Sequence, residues 1–330
     1  MIFEEKKTIW LSWHKIPRSK NIAKYLEIPT YEYFENGNII KRHLFSSIWT
    51  IKFLMKNELE IIFLHYSYLL LLIVILYKKI SRQKVVVIAD CHNKALRRKL
   101  NGVGAFLYEK LKKFSFNNTD ITIITNKGMI KDITSYNDNY FILPDKIPEF
   151  KVDIDHEKTY KYCVYISSFS VDEPIEEVID AAKILGDSVR LYWTGKKSSE
   201  LFKNKQIPKN IIFTGYLHYD DYYKLISNAD CLLLLTTEDD CLQCGAYEGL
   251  NAGVPMVISD NNASREYFEN SAIYTEITPQ AISNAILNAI DNKSLIEDSS
   301  RYIKEKRENE FKKIIQDLEL KIESLFEKEN

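Results

Sequence analysis

The sequence predicts an α/β protein of two doubly wound units, each a parallel sheet with helices on both faces. Three observations carry that expectation. Short apolar runs alternate with longer amphipathic segments, once between Thr8 and Leu143 and again between Tyr162 and Ile290, the βα repetition that builds parallel sheets. Between the two series, PDKIPEFKVDIDHEKT (144–159) has no periodicity and reads as a linker. A chain of 330 residues can bury two separate cores. The expected domains are 1–150 and 151–295, followed by a helical tail at 296–330. Two such units facing each other leave a cleft between the carboxyl edges of their sheets.

In chain order, Thr8 to Trp13 is the first strand. His14 to Ser19 is a loop whose last residue caps a helix reaching about Leu26. Ile39 to Met55 is an amphipathic helix, Glu60 to Leu64 a strand and Ser67 to Ile80 a buried helix. The apolar run that overlaps that helix, Tyr66 to Tyr77, has 12 residues, short of the ~20 that span a bilayer. Val85 to Ile88 (VVVI), bounded by polar residues, marks a central parallel strand. A basic amphipathic helix follows from Ala95 to Phe114, then strands at Ile121 to Thr125 and Tyr140 to Leu143. The second series runs strand (Tyr162 to Ile166), helix (Ile175 to Leu185), strands (Val189 to Trp193, Ile211 to Phe213), helix (Tyr219 to Ile226) and strand (Cys231 to Leu235). Thr278 and Pro279 form the cap and first turn of a helix ending near Ile290.

Composition places the chain among ordinary globular proteins, with 45% hydrophobic and 28% charged residues. Formal net charge is -1, yet the two halves differ. Residues 1–150 hold 24 Lys and Arg against 14 Asp and Glu, and 151–330 hold 21 against 32. A basic first half fits an anionic surface or substrate. Five cysteines without a regular framework fit a reducing compartment. Cys241 and Cys244 form a C-x-x-C without a second pair at zinc-finger spacing. The opening MIFEEKKTIW lacks a cationic segment followed by an apolar core, so no secretion signal is expected.

The stretch TTEDDCLQCGAYEGLNAGVPMVIS (Thr236 to Ser259) organises the second half. An apolar strand, an acidic loop, a helix start and a glycine turn are how an open α/β sheet presents a ligand at its carboxyl edge. Helix amides near Cys244, Gly245 and Ala246 suit a phosphate, since a first turn has no internal partners and carries partial positive charge. Gly245 lets a ligand approach the backbone. Glu248, one turn further, can accept two hydrogen bonds from a ribose diol.

Residues Asn228 to Asp260, preceded by NIIFTGYLHYDDYYKLI (Asn210 to Ile226), resemble the nucleotide-binding domain of GT-B glycosyltransferases. The resemblance is to the group with an E-x7-E signature (glycosyl transferases group 1, family 4-like), as found in bacterial polysaccharide biosynthesis. It covers roughly residues 160–290. The first half resembles the acceptor domain more loosely, through VVVIADCHNKAL (Val85 to Leu96) and TDITIITN (Thr119 to Asn126). The resemblance implies two Rossmann-like domains facing each other across a cleft, with a C-terminal helix crossing back to the first. It places Glu248 on the ribose of a nucleotide-sugar donor, such as a UDP-sugar, and Gly245 at the diphosphate. Asp240, or Glu238 in its stead, falls where a family glutamate contacts the donor sugar. The Arg and Lys that clamp the diphosphate are absent from ISSFSVDEP (Ile166 to Pro174), leaving Lys196 and Lys197 as the cationic replacements. His92, and Asp90 as a base, lie where related enzymes act on the reacting sugar and acceptor hydroxyl. His14 and Arg18 are expected to bind the acceptor, Arg18 through a phosphate.

The resemblance further implies metal-independent transfer to a lipid-linked or oligosaccharide acceptor by a cytoplasmic protein, with no cofactor and no nucleic-acid partner. Peripheral contact with an anionic inner-membrane surface is expected through the basic helix Arg97 to Lys113 and the aromatic segment Trp49 to Phe53. Stereochemistry stays open, because the E-x7-E group retains configuration but this chain lacks the clamp. The rival expectation is a catalytically silent GT-B subunit that stabilises a partner glycosyltransferase, favoured by the shortened first acid and the lost clamp.

Overall fold

A computed structural model describes residues 2–35, 38–97, 102, 104–151, 159–196, 202–203 and 205–327. The chain folds as two compact units, the first made of Met1–Lys146 with Glu310–Asn330 and the second of Ile147–Asn309.

The first unit holds strands β1 (Thr8–Ser12), β2 (Thr30–Glu32), β3 (Ile61–His65), β4 (Val86–Cys91), β5 (Ile121–Ile124) and β6 (Tyr140–Ile142). Its helices are α1 (Ile2–Glu5), α2 (Pro17–Tyr25), α3 (Ile39–Lys56), α4 (Tyr68–Ile80), α5 (Asn93–Arg97), α6 (Gly104–Asn117) and α7 (Ile130–Thr134). The strands pair in the order β2-β1-β3-β4-β5-β6, all parallel. Because successive side chains of a strand point to opposite faces, each strand supplies two cores. Ile9, Leu11, Ile62, Leu64, Val87 and Ala89 face one way, with Leu54, Leu70, Val74 and Phe116 from α3, α4 and α6. Trp10, Ile61, Phe63, Val86 and Ile88 face the other, with Ile22 and Ala23 of α2.

The second unit holds β7 (Tyr162–Tyr165), β8 (Arg190–Thr194), β9 (Ile211–Gly215), β10 (Cys231–Leu234), β11 (Met256–Ser259) and β12 (Ala272–Thr275). Its helices are α8 (Ile175–Leu185), α9 (Tyr219–Ser227), α10 (Cys244–Ala252), α11 (Asn262–Phe268) and α12 (Pro279–Asp291), with α13 (Lys293–Glu327) running on into the first unit. The order is β12-β11-β10-β7-β8-β9, again parallel. Thr278 caps α12 as expected, accepting from the Ala281 N–H at 3.2 Å. From α13, Phe311, Ile315, Leu318 and Ile322 complete the second core of the first unit.

Several expectations need correction. Ile16, not Ser19, precedes the first turn of α2; Pro17 occupies that turn and Ser19 is buried inside the helix. β4 runs on to Cys91 because β3 and β5 extend with it, so Asp90 lies within the strand rather than beyond it. The basic helix is two pieces, α5 and α6, separated around Gly102, whose φ of +85° is unsuited to a helix. Arg98 and Lys99 lie outside the described residues.

Candidate functional site

Strand order locates the crevices. In the second unit the winding reverses between β7 and β10, and a doubly wound sheet opens at its carboxyl edge where that happens. The loops after β7 and β10 meet there. Thr236 Oγ1 donates to Asp172 Oδ2 at 2.8 Å, and the Thr237 N–H donates to the Asp172 carbonyl at 2.7 Å. Thr236 N–H is held by Ser259 Oγ at 2.8 Å, and its own hydroxyl accepts from the Glu238 N–H at 3.2 Å. Glu238 and Asp240 are half-buried on this loop, and Asp240 takes a left-handed φ of 56°.

The loop leads into α10, whose first turn has no side-chain cap. Cys244 is exposed at its start. Of the three amides expected for phosphate, that of Ala246 already donates to the Gln243 carbonyl at 3.0 Å. Gly245 is buried, and its missing side chain serves packing: a Cβ there would stand 2.6 Å from Leu234 Cδ2 and 3.0 Å from Ile166 Cγ2. The glycine brings the helix against the sheet. Glu248 is half-buried one turn on and accepts from the Tyr222 hydroxyl of α9. Burial pushes its carboxyl up to about 7, with the Tyr222 hydrogen bond opposing. Tyr222 was not anticipated; the only available signal was the tyrosine cluster Tyr219, Tyr222 and Tyr223 in the preceding helix.

The loop after β7 explains the missing clamp. The Glu173 carboxylate occupies it, accepting from the N–H groups of Ser168 and Phe169 at 2.9 Å, from the Ser168 hydroxyl at 2.9 Å and from the Ser167 hydroxyl. An internal anion sits on donors that two basic side chains were expected to supplement. Lys196 is exposed and follows Gly195, whose φ is +92° and where a Cβ would lie 2.3 Å from the Ser167 carbonyl oxygen. Lys196 therefore starts beside this loop. Lys197 lies outside the described residues.

In the first unit the winding reverses between β1 and β3. His14 follows β1 half-buried, its proton affinity lowered first by burial and then by Arg42 and His43. Arg18, expected to face an acceptor phosphate, is instead 2% exposed. Its Nε donates to Asp90 Oδ1 at 3.1 Å and Oδ2 at 3.2 Å, one terminal nitrogen to Asp145, and the other to the Leu143 carbonyl at 2.8 Å. Asp90, expected as a base, is fully buried in that pairing; burial works to raise its proton affinity, and Arg18 with the neighbouring histidines lowers it further than burial lifts it. A carboxylate so held is an anchor for α2 and the β6 exit, not a free proton acceptor. His92 is half-buried just after β4, its ring 5.0 Å from that of His65 at the end of β3. Burial drives His65 down to about 4.

The outer side of α3 carries an apolar stripe, Ile40, Leu44, Ile48, Ile51 and Met55, with Ile40 76% and Met55 65% exposed. Lys41, Lys52 and Lys56 lie on the same helix, which has no acidic residue. Trp49 and Phe53 do not belong to this exposed face: they stack on each other and against Tyr33 and Tyr31, partly buried. Lys112 also points inward, donating to the Leu96 carbonyl at 2.6 Å. Among the described residues no helix is long and apolar enough to cross a membrane.

Two doubly wound parallel sheets with crevices at their switch points define a GT-B protein. The sequence matches the family described as "Glycosyl transferases group 1" over residues 146–322, and the chain belongs to that family. No curated protein matches the sequence. Among solved structures, Alr3699/HepE from Anabaena, crystallised with UDP, superposes with a TM-score of 0.69 at 12% identity, covering 95% of this chain and 99% of that one. TarM superposes with a TM-score of 0.63 at 15% identity over 84% of this chain and 58% of its own. The lipopolysaccharide outer core galactosyltransferase WaaB gives 0.58 at 12% identity, over 90% of this chain and 95% of that one. Identities this low establish the shared fold.

Proposed function

We propose that this glycosyltransferase moves a hexose from a UDP-sugar to a lipid-linked saccharide acceptor, in cell-surface polysaccharide or glycoconjugate synthesis. The observation that carries the reading is Glu248: a half-buried carboxylate one turn into α10, beside the switch point, oriented by the Tyr222 hydroxyl. A ribose diol is the partner such a carboxylate fits, and the first turn of α10 faces the adjoining diphosphate with its helix dipole. The same architecture in HepE was crystallised with UDP and with UDP-glucose, which favours that donor. Charge on the departing diphosphate falls to the α10 amides and Lys196, with Asp240 or Glu238 on the donor sugar and His92 at the reacting centre. His14 remains the acceptor-side residue of the first unit. No metal is needed for the transfer step.

Contact with the anionic inner face of a bacterial plasma membrane runs through the α3 stripe, where exposed aliphatic side chains lie beside lysines on a helix that has no acidic residue. The protein is then cytoplasmic and peripheral.

A thermal-shift screen of nucleotide sugars tests the donor reading. UDP-hexoses are expected to raise the melting temperature without divalent cations, by mass action, and Glu248→Ala to abolish the shift. No response to any nucleotide, or an unchanged shift in Glu248→Ala, overturns it; a strict magnesium requirement overturns metal independence. Glu173 favours a second reading, a silent subunit, because it fills the loop where a cationic clamp belongs. Donor binding with neither hydrolysis nor transfer over an acceptor panel would select that reading.

A further inference from the structure

The carboxyl edge of the first sheet gathers three metal-ligating side chains that the donor chemistry does not use as a set. His65 ends β3, Asp90 stands opposite it in the register of β4, and His92 follows that strand. One ligand atom from each lies within 4.8 Å of the other two. His65 Nδ1 is buried without a hydrogen-bond partner, an arrangement that folded proteins avoid.

We propose that His65, Asp90 and His92 form a binding site for a divalent d-block cation of the zinc class. Two imidazoles with one carboxylate select zinc, cobalt or nickel over magnesium and calcium, which prefer all-oxygen sets. Three protein ligands leave a coordination position open. Asp90 is buried against a single guanidinium, that of Arg18, which it shares with Asp145. Arg18 then acts as the outer partner that fixes the ligating carboxylate, a role common behind metal ligands. Strand pairing holds the His65 and Asp90 backbones in register. A tetrahedral sphere with bonds near 2 Å sets its ligand atoms roughly 3.3 Å apart, so closing the site from the observed 4.8 Å limit requires the two imidazoles to turn inward.

The site uses none of the donor residues of the second unit but shares His92 with the proposed function: a cation on His92 withdraws that ring from the reacting sugar, so the two roles of this residue exclude each other. Its test is zinc binding to the full chain, stripped with chelator and titrated calorimetrically without nucleotide. One equivalent is expected. His65→Gln and His92→Gln should each weaken binding at least about tenfold, and the double variant should remove it, while Cys241→Ser and His218→Gln leave it unchanged. Melting curves of the metal-free variants check that they fold, and cobalt(II) visible spectra that change with His92→Gln provide a second readout. Absence of a zinc equivalent, affinity indifferent to both histidine substitutions, or equal competition by magnesium would overturn the proposal. Since the readout is binding, loss of the transferase assignment would leave it standing, and its own failure would leave that assignment intact.

Discussion

Burial of the Glu248 carboxylate, opposed in part by the Tyr222 hydroxyl, raises its proton affinity to about 7, so the residue proposed to accept from a ribose changes charge near neutrality. A carboxyl raised in the folded state stabilises the fold through its neutral form. That contribution is complete below the ordinary carboxylate range and is lost as pH rises through about 7. The full shift corresponds to about 3 kcal/mol. Solvent reaches this half-buried group, which reduces the expectation to about 1–2 kcal/mol. Urea denaturation of the free protein at about pH 5 and about pH 8 should therefore show that loss in the wild type and not in Glu248→Gln. UDP affinity should move the other way, rising with pH toward neutrality as the charged acceptor forms, by up to about tenfold per pH unit. A pH-independent affinity in the wild type would remove Glu248 from the ligand. Glu248 was legible from its place after a strand, an acidic loop and a helix start. Its proton affinity was not, because the burial that raises it, and the opposing Tyr222 hydroxyl 26 residues away in sequence, exist only in the folded chain. Arg18 misled for the same reason: its partners Asp90 and Asp145 are 72 and 127 residues distant. His65 was missed because IIFLHYSYLL reads as continuous core.

At the scale of elements, helix α3 is distinguished by its exposed stripe. Burying five aliphatic side chains at a lipid surface contributes favourably in proportion to their area, and the adjacent lysines add attraction for anionic headgroups. Replacing Ile51 and Met55 together by glutamate should reduce co-sedimentation with phosphatidylglycerol vesicles about tenfold or more while leaving the melting temperature nearly unchanged, since both side chains are exposed. Equal sedimentation of wild type and variant, or equal binding to neutral vesicles, would rule out this surface. The sequence indicated an amphipathic helix here, yet periodicity alone does not say which side meets the sheet. The buried side is that of Ser46, Thr50 and Leu54, with Trp49 and Phe53 partly buried beside it. Elements with weak apolar signals escaped notice: β2 is three residues long and largely exposed, and β12 has only four. Glu173 was equally hidden, since two of its donors are backbone amides and the other two are hydroxyls of ordinary loop serines.

For the whole molecule, the alternation of strands and helices was enough to give two parallel sheets, because apolar runs bounded by polar residues are what central strands require. Sheet order came only from the structure. The first unit is not contiguous in sequence: Phe311, Ile315, Leu318 and Ile322 of α13 belong to its core. Leu318→Ala should cost about 2–5 kcal/mol, read as a lowered denaturation midpoint followed by probes in the first unit. An unchanged midpoint would mean that the tail is dispensable there.

That split core has a consequence for synthesis. A ribosome finishes residues 1–146 long before it reaches 310, so the nascent first unit waits with one wall of its interior bare while the second is made. The surface that Phe311, Ile315, Leu318 and Ile322 cover, Tyr25 included, stays open until then, and exposed apolar surface invites chaperone capture or aggregation. Completion of the chain, rather than of its amino-terminal half, is what closes the first fold.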